Sequence, residues 1–171
     1  MSNFEKNFEL AVSNAKRLTD KILIDGKLIS AQTDKKIQVI NPSTGENIGS
    51  TPQCDKNDVN IAVESAHKAF QKWKKIPARE RGKIVAAGAK RLEERKSEIE
   101  TLLSLDTGNA LRTQAIPETG ASIELTNMFA GLSGELKGEN YPTNIPNSIH
   151  YTTRDPIGVV CAIVPWNAPL F

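Results

Sequence analysis

The stretch that most restricts the fold of this chain is "PIGVVCAIVPWNAPL", Pro156 to Leu170. From Ile157 to Val164 it is apolar, rich in β-branched residues and free of charge. It is too short for a buried helix, and its composition reads as a strand covered on both faces, as in a parallel sheet. The run then breaks into Pro165, Trp166, Asn167 and Pro169. Pro165 fixes φ and removes a backbone donor. Pro169 steers Ala168 away from helical torsions. A constrained turn therefore follows the carboxyl end of the strand, which is where open α/β sheets bind ligands. Trp166 offers a broad rigid face, and the Asn167 side chain offers two N–H donors. A loop cap and a functional donor both fit these residues.

A single central strand is not a sheet, because parallel neighbours need crossovers of a dozen or more residues. The rest of the chain supplies other elements. Phe4, Phe8, Ala11, Ala15 and Leu18 fall at helical spacing. Asp25-Gly26 suits a tight hairpin between Ile22–Ile24 and Lys27–Ile29. Ile37 and Val39 alternate into a turn at Asn41-Pro42-Ser43-Thr44-Gly45, with Ile48 on a return strand. Asp55 caps a helix whose stripe is Val59, Ala62, Val63, Ala66, Phe70 and Trp73. His67 reads as a surface residue on it.

Pro77 opens a second long helix, with Ile84, Val85, Ala89 and Leu92 inward. The charge-rich "KRLEERKSE" reads as solvated. Ile99, Leu102 and Leu103 continue the helical spacing to a stop at Thr107-Gly108-Asn109. Pro117 opens a third helix, with Ile123, Thr126, Phe129 and Ala130 inward. A Gly-, Pro- and Asn-rich linker, "GENYPTNIPNS", leads to a half-exposed strand at Ser148–Thr153 whose edges are expected to be unpaired.

Composition removes several function classes. The 22 Lys and Arg against 20 Asp and Glu leave a net charge of +2 and no basic block suited to nucleic acid. No apolar run approaches the ~18 residues of a membrane span. The first ten residues lack the basic and apolar regions of a secretory signal, so a cytoplasmic location is expected. The two cysteines, Cys54 and Cys161, form neither a metal motif nor a disulfide framework. Cys161, within an apolar strand, is expected to behave as a small hydrophobe, and Cys54, before a helix, to have a lowered pKa. No dinucleotide-binding glycine fingerprint, phosphate loop or zinc-protease motif is present.

Five segments in order resemble the NAD(P)-dependent aldehyde dehydrogenases. They are "NPSTGE" (Asn41–Glu46), "SAHKAFQKWKKIPARERGKIV" (Ser65–Val85), "LLSLDTGNA" (Leu102–Ala110), "IHYTTRDPIGVV" (Ile149–Val160) and "VVCAIVPWNAPL" (Val159–Leu170). The resemblance implies an α/β fold, specifically the amino-terminal part of that family's fold. Its units would be an N-terminal helical extension at 1–20 and a small β unit plus helices at 21–137. An oligomerisation arm at 138–156 and the first strand of an incomplete Rossmann-like sheet, with its Pro-Trp-Asn turn, at 157–171 would follow.

The resemblance also implies a chemistry. A cysteine thiolate attacks the aldehyde, hydride passes to NAD or NADP, and water hydrolyses the thioester with a glutamate as general base. By this mapping Asn167 holds the oxyanion. Ile163, Val164, Pro165 and Trp166 line the ribose and nicotinamide side of the cofactor, and the Ile40 carbonyl and Asp106 belong to a monovalent-cation site. The nucleophile, the general base, the ribose lysine and the glycine-rich turn fall later in family members. The chain is therefore expected to be an amino-terminal portion, inactive alone, that forms homo-oligomers or pairs with related subunits through the arm. The alternative is a non-catalytic interaction module that docks on full-length subunits. A third reading is an independent helical binding domain at 56–136.

Overall fold

The computed structural model describes residues 3–171, with side chains from Glu5 onward. Five α-helices, one π-helical turn and three two-stranded antiparallel ribbons are the regular elements of the described residues. Helix α1, Asn3–Leu18, packs on α4 and on β4. Ala11 is fully buried there, and Asn14 Nδ2 donates to Glu98 Oε1 at 2.6 Å. The Phe4 side chain lies outside the described residues. Leu18 stays exposed, and the buried Ala11 and the part-buried Asn14–Glu98 bond lie where α1 docks.

The first ribbon pairs β1, Ile22–Ile24, with β2, Lys27–Ile29. Its turn works because Asp25 and Gly26 both take positive φ, 52° and 71°. The second pairs β3, Lys36–Ile40, with β4, Asn47–Pro52, and is irregular between Val39 and Ile40. The turn between them is held by Asn41. Its Oδ1 accepts the Ser43 N–H at 2.9 Å, and its carbonyl accepts the Gly45 N–H at 2.8 Å. Asp20 ties this ribbon to the end of α1. Its carboxylate accepts from Lys36 Nζ and Ser50 Oγ, and these donors hold its pKa below the ordinary value.

Helix α2, Lys56–Trp73, begins with a capping box. Asp55 Oδ1 accepts the Asn57 and Asp58 N–H groups, and Asp58 Oδ2 accepts the Asp55 N–H. Asp58 also accepts the Gln32 N–H at 2.7 Å, which ties the helix start to the link after β2. The expected apolar stripe is present on α2 but not covered: Val59, Val63 and Trp73 remain exposed. His67 lies on the surface beside Gln71, as expected.

Helix α3, Ala78–Glu94, packs on α5, Ile116–Leu132. The approach depends on Gly82, where a Cβ would sit 2.5 Å from the Ala130 carbonyl oxygen. The expected inward faces are only partly right. Ala89, Ile123 and Ala130 are buried, whereas Ile84 and Phe129 are exposed. Close helix contact through small residues leaves the larger ones on the flanks.

The charged stretch is largely solvated, as read, except for the buried Glu98, and it contains a break. Arg95, at φ −113° and ψ 15°, separates α3 from α4, Lys96–Thr107. Its guanidinium forks onto Glu98 at 2.9 and 2.6 Å, so the break is pinned by a bidentate ion pair on a buried carboxylate.

Glu100 is also buried on α4, and desolvation raises its pKa against the opposing pull of Lys96. A folded-state pKa above the unfolded one means that the native state binds the proton more tightly. This contribution to stability is full below about pH 4 and is lost as pH rises through the folded value. Glu100→Gln is therefore expected to raise Tm at pH 7 and to match the parent chain near pH 4. Thermal denaturation at both pH values checks this.

Helix α4 ends at Gly108, in the left-handed region at φ 74°. A π-helical turn, Leu111–Ala115, then feeds α5, so the third long helix starts one residue before the expected Pro117. The third ribbon pairs β5, Asn140–Tyr141, with β6, His150–Tyr151. One edge of the expected arm strand is therefore paired within the chain, and the strand is shorter than read. The largest departure is at Val159–Val164. No strand forms there, and Cys161 is exposed with Val160, Ile163 and Val164. The residues are apt for a central strand, but no described segment lies alongside to complete the ladder.

Candidate functional site

The turn that follows this unpaired run is nevertheless fixed in place. Asn109 Nδ2 donates to the Asn167 carbonyl oxygen at 2.9 Å, and the Leu170 N–H donates to Glu118 Oε1 at 2.9 Å. Pro169 and Leu170 enter a crevice of about 480 Å³ between α1, the β3–β4 ribbon and α4, lined among others by Leu18, Ile48, Leu102 and Asp106. The Asn167 residue is exposed, and its side-chain amide makes no hydrogen bond among the described residues. Trp166 is 87% exposed and Ile163 93%, with Val164 and Pro165 exposed between them.

These four residues are consecutive, exposed and apolar, a chemistry that fits the ribose and nicotinamide side of a dinucleotide. They carry no group for a pyrophosphate, so they fit part of a dinucleotide only.

The two residues of the expected cation site lie on separate elements. Ile40 ends β3 opposite Asn47, and Asp106 is exposed on the last turn of α4. The turn after Ile40 reaches that end of α4, because Pro42 packs against Gly108. Among the described residues no three His, Cys, Asp or Glu side chains gather as metal ligands.

Neither cysteine is placed as a nucleophile. Desolvation first, then the carboxylates of Asp58 and Asp55, raise the Cys54 pKa, which overturns the lowering expected from the helix end. The capping box itself brings those carboxylates to the thiol. Cys161 is a free thiol in the unpaired run.

Asn109 and Glu118 were not singled out as site residues in the sequence. Asn109 reads there as part of a helix stop. Their partners are 58 and 52 positions away, and no local pattern announces such a contact.

The comparisons with known proteins cover this same arrangement. The model of the aldehyde dehydrogenase family matches residues 28–171. Phenylacetaldehyde dehydrogenase of Pseudomonas fluorescens is 36% identical over 96% of the chain and 34% of its own length. Aldehyde dehydrogenase tropH of Talaromyces stipitatus is 38% identical over 92% of the chain and 31% of its own length. The crystal structure of betaine aldehyde dehydrogenase from Staphylococcus aureus in complex with NAD+ superposes with a TM-score of 0.88 at 30% identity, over 96% of this chain and 33% of that one. The chain thus spans about a third of the length of the relatives it matches. With the motifs in order and the family model matched from the first ribbon through the Pro-Trp-Asn turn, this chain belongs to the aldehyde dehydrogenase family.

Proposed function

We propose that this chain supplies the amino-terminal third of an NAD(P)-dependent aldehyde-oxidising site, with Asn167 as its oxyanion donor. The observation that carries the reading is an exposed Asn167, its amide free of hydrogen bonds among the described residues, on a turn whose backbone is held at both ends. An amide donor suits this task. It is neutral and steadies a developing alkoxide without giving up a proton.

Trp166, Pro165, Val164 and Ile163 form the apolar wall on which the nicotinamide side of the cofactor would rest. The cofactor, when bound, supplies the hydride acceptor. The residues of this wall exclude water and orient the ring. The Ile40 carbonyl and Asp106 are the chain's contribution to a monovalent-cation site. The cysteine nucleophile and the general-base glutamate come from the two-thirds of the family fold that lie beyond the matched region. The exposed Ile145, Ile149 and Tyr151 around β5–β6 support subunit pairing through the arm. Free thiols at Cys54 and Cys161 suit a cytoplasmic setting.

The test joins this chain to the remaining two-thirds of phenylacetaldehyde dehydrogenase. The joined protein is expected to oxidise phenylacetaldehyde with formation of reduced nicotinamide, and the 171-residue chain alone is expected to form none. Turnover by the chain alone, or a folded joined protein without turnover, would contradict the reading.

A further inference from the structure

Asn109 and Glu118 stand at the two ends of one link, Asn109 just after α4 and Glu118 on the first turn of α5. This link is closely bonded to itself. Gly108 closes α4 in the left-handed region. The Asn109 N–H donates to Thr107 Oγ1 at 3.1 Å, and its carbonyl accepts Ser104 Oγ at 2.8 Å. The Ala110 carbonyl accepts both the Gln114 and Ala115 N–H groups, at 2.9 and 3.2 Å, and Gln114 Oε1 accepts the Ala110 N–H at 3.0 Å. These bonds make the π-helical turn a stiff spacer. Pro117 then fixes the first turn of α5, on which Glu118 stands.

The 165–170 turn has no comparable internal bonding among the described residues, and the run before it pairs with nothing. Pro169 and Leu170 sit in the crevice described above, and the hydrogen bonds that hold the turn are two, from Asn109 and Glu118, one on either side of Ala168 and Pro169.

We propose that Asn109 and Glu118 are positioning residues, a two-point clamp that sets where the Asn167 amide is presented. Asn109 grips the backbone of Asn167 itself, so its bond acts on the torsions from which the side chain departs. Glu118 holds the Leu170 N–H, a donor that Pro169 cannot replace because it has none. A carboxylate acceptor makes this the stronger of the two bonds. The inference rests on the role given to Asn167 above, but its test does not use activity.

The experiment is amide hydrogen exchange and backbone order parameters by NMR on the 171-residue chain, in Asn109→Ala, Glu118→Ala and Glu118→Gln. Exchange at Leu170 is expected to quicken about tenfold or more in Glu118→Ala and to stay within about threefold of the parent in Glu118→Gln, which keeps an acceptor oxygen. Asn109→Ala is expected to lower the order parameter of Asn167. Exchange at Leu103, buried in α4, is expected to stay constant in all three and reports that the fold is intact.

Unchanged Leu170 exchange in Glu118→Ala, or an unchanged Asn167 in Asn109→Ala, overturns the clamp. So does a Glu118→Gln variant as loose as Glu118→Ala. The two alanine variants are independent, so one that fails to fold leaves the other to decide. If the clamp holds while Asn167 proves dispensable for turnover in the joined enzyme, the functional reading falls and the clamp remains.

Discussion

Asn167→Ala in the joined enzyme is expected to lower kcat by about 10²–10³, which corresponds to ~3–4 kcal/mol of transition-state stabilisation. The loss is expected in kcat because the amide meets full negative charge only after the nucleophile has added; the ground-state carbonyl gains less from it. KM for the aldehyde should change little. Asn167→Asp should be at least as severe, since it places a carboxylate where an alkoxide develops. Steady-state kinetics on the three proteins, with folding checked by circular dichroism, decides the matter. Equal kcat in the parent and Asn167→Ala would remove Asn167 from the chemistry.

Gly108→Ala is expected to destabilise the chain by about 2–5 kcal/mol, through two separate costs. The first is torsional: at φ 74° an alanine Cβ crowds its own carbonyl, at roughly 1–2 kcal/mol. The second is steric, because the new Cβ would lie 2.7 Å from Pro42 Cγ and force the Asn41–Glu46 turn away from α4, at roughly 1–3 kcal/mol. For a chain of this length that corresponds to a fall of roughly 4–20 °C in Tm. Gly26→Ala is the control. It has a similar φ of 71° but nothing within 4 Å of the added carbon, so it should show the torsional cost alone. Thermal or urea denaturation of both variants separates the two terms.

Local chemistry made much of the fold legible. Asp25-Gly26 fixed both the turn type and the strand bounds, because few other residue pairs accept two positive φ values. Asp55 announced the start of α2 through side-chain bonds that span only two and three positions. What escaped the sequence depends on partners far along the chain. The apolar stripe of α2 predicts a buried face but not that the described residues leave it open. Phe129 was placed inward by spacing, yet α5 meets α3 through Ala130 against Gly82, which turns the aromatic ring outward. Val159–Val164 has every local mark of a central strand, and strand formation still requires a neighbour. For the site, the sequence singled out Asn167 and its apolar neighbours, but not the side chains that hold the turn, since those contacts join residues more than fifty positions apart.

The run from Pro156 to Phe171 contains no Asp, Glu, Lys or Arg, and within it Ile157, Val160 and Ile163 stand in water. Natural strands of this composition are usually flanked or interrupted by charges that keep like segments from stacking into cross-β ribbons. Here Arg154 and Asp155 precede the run and no charge interrupts it, so wherever this run goes uncovered the protein's solubility should fall steeply as its concentration rises, and Ile163→Lys should restore it.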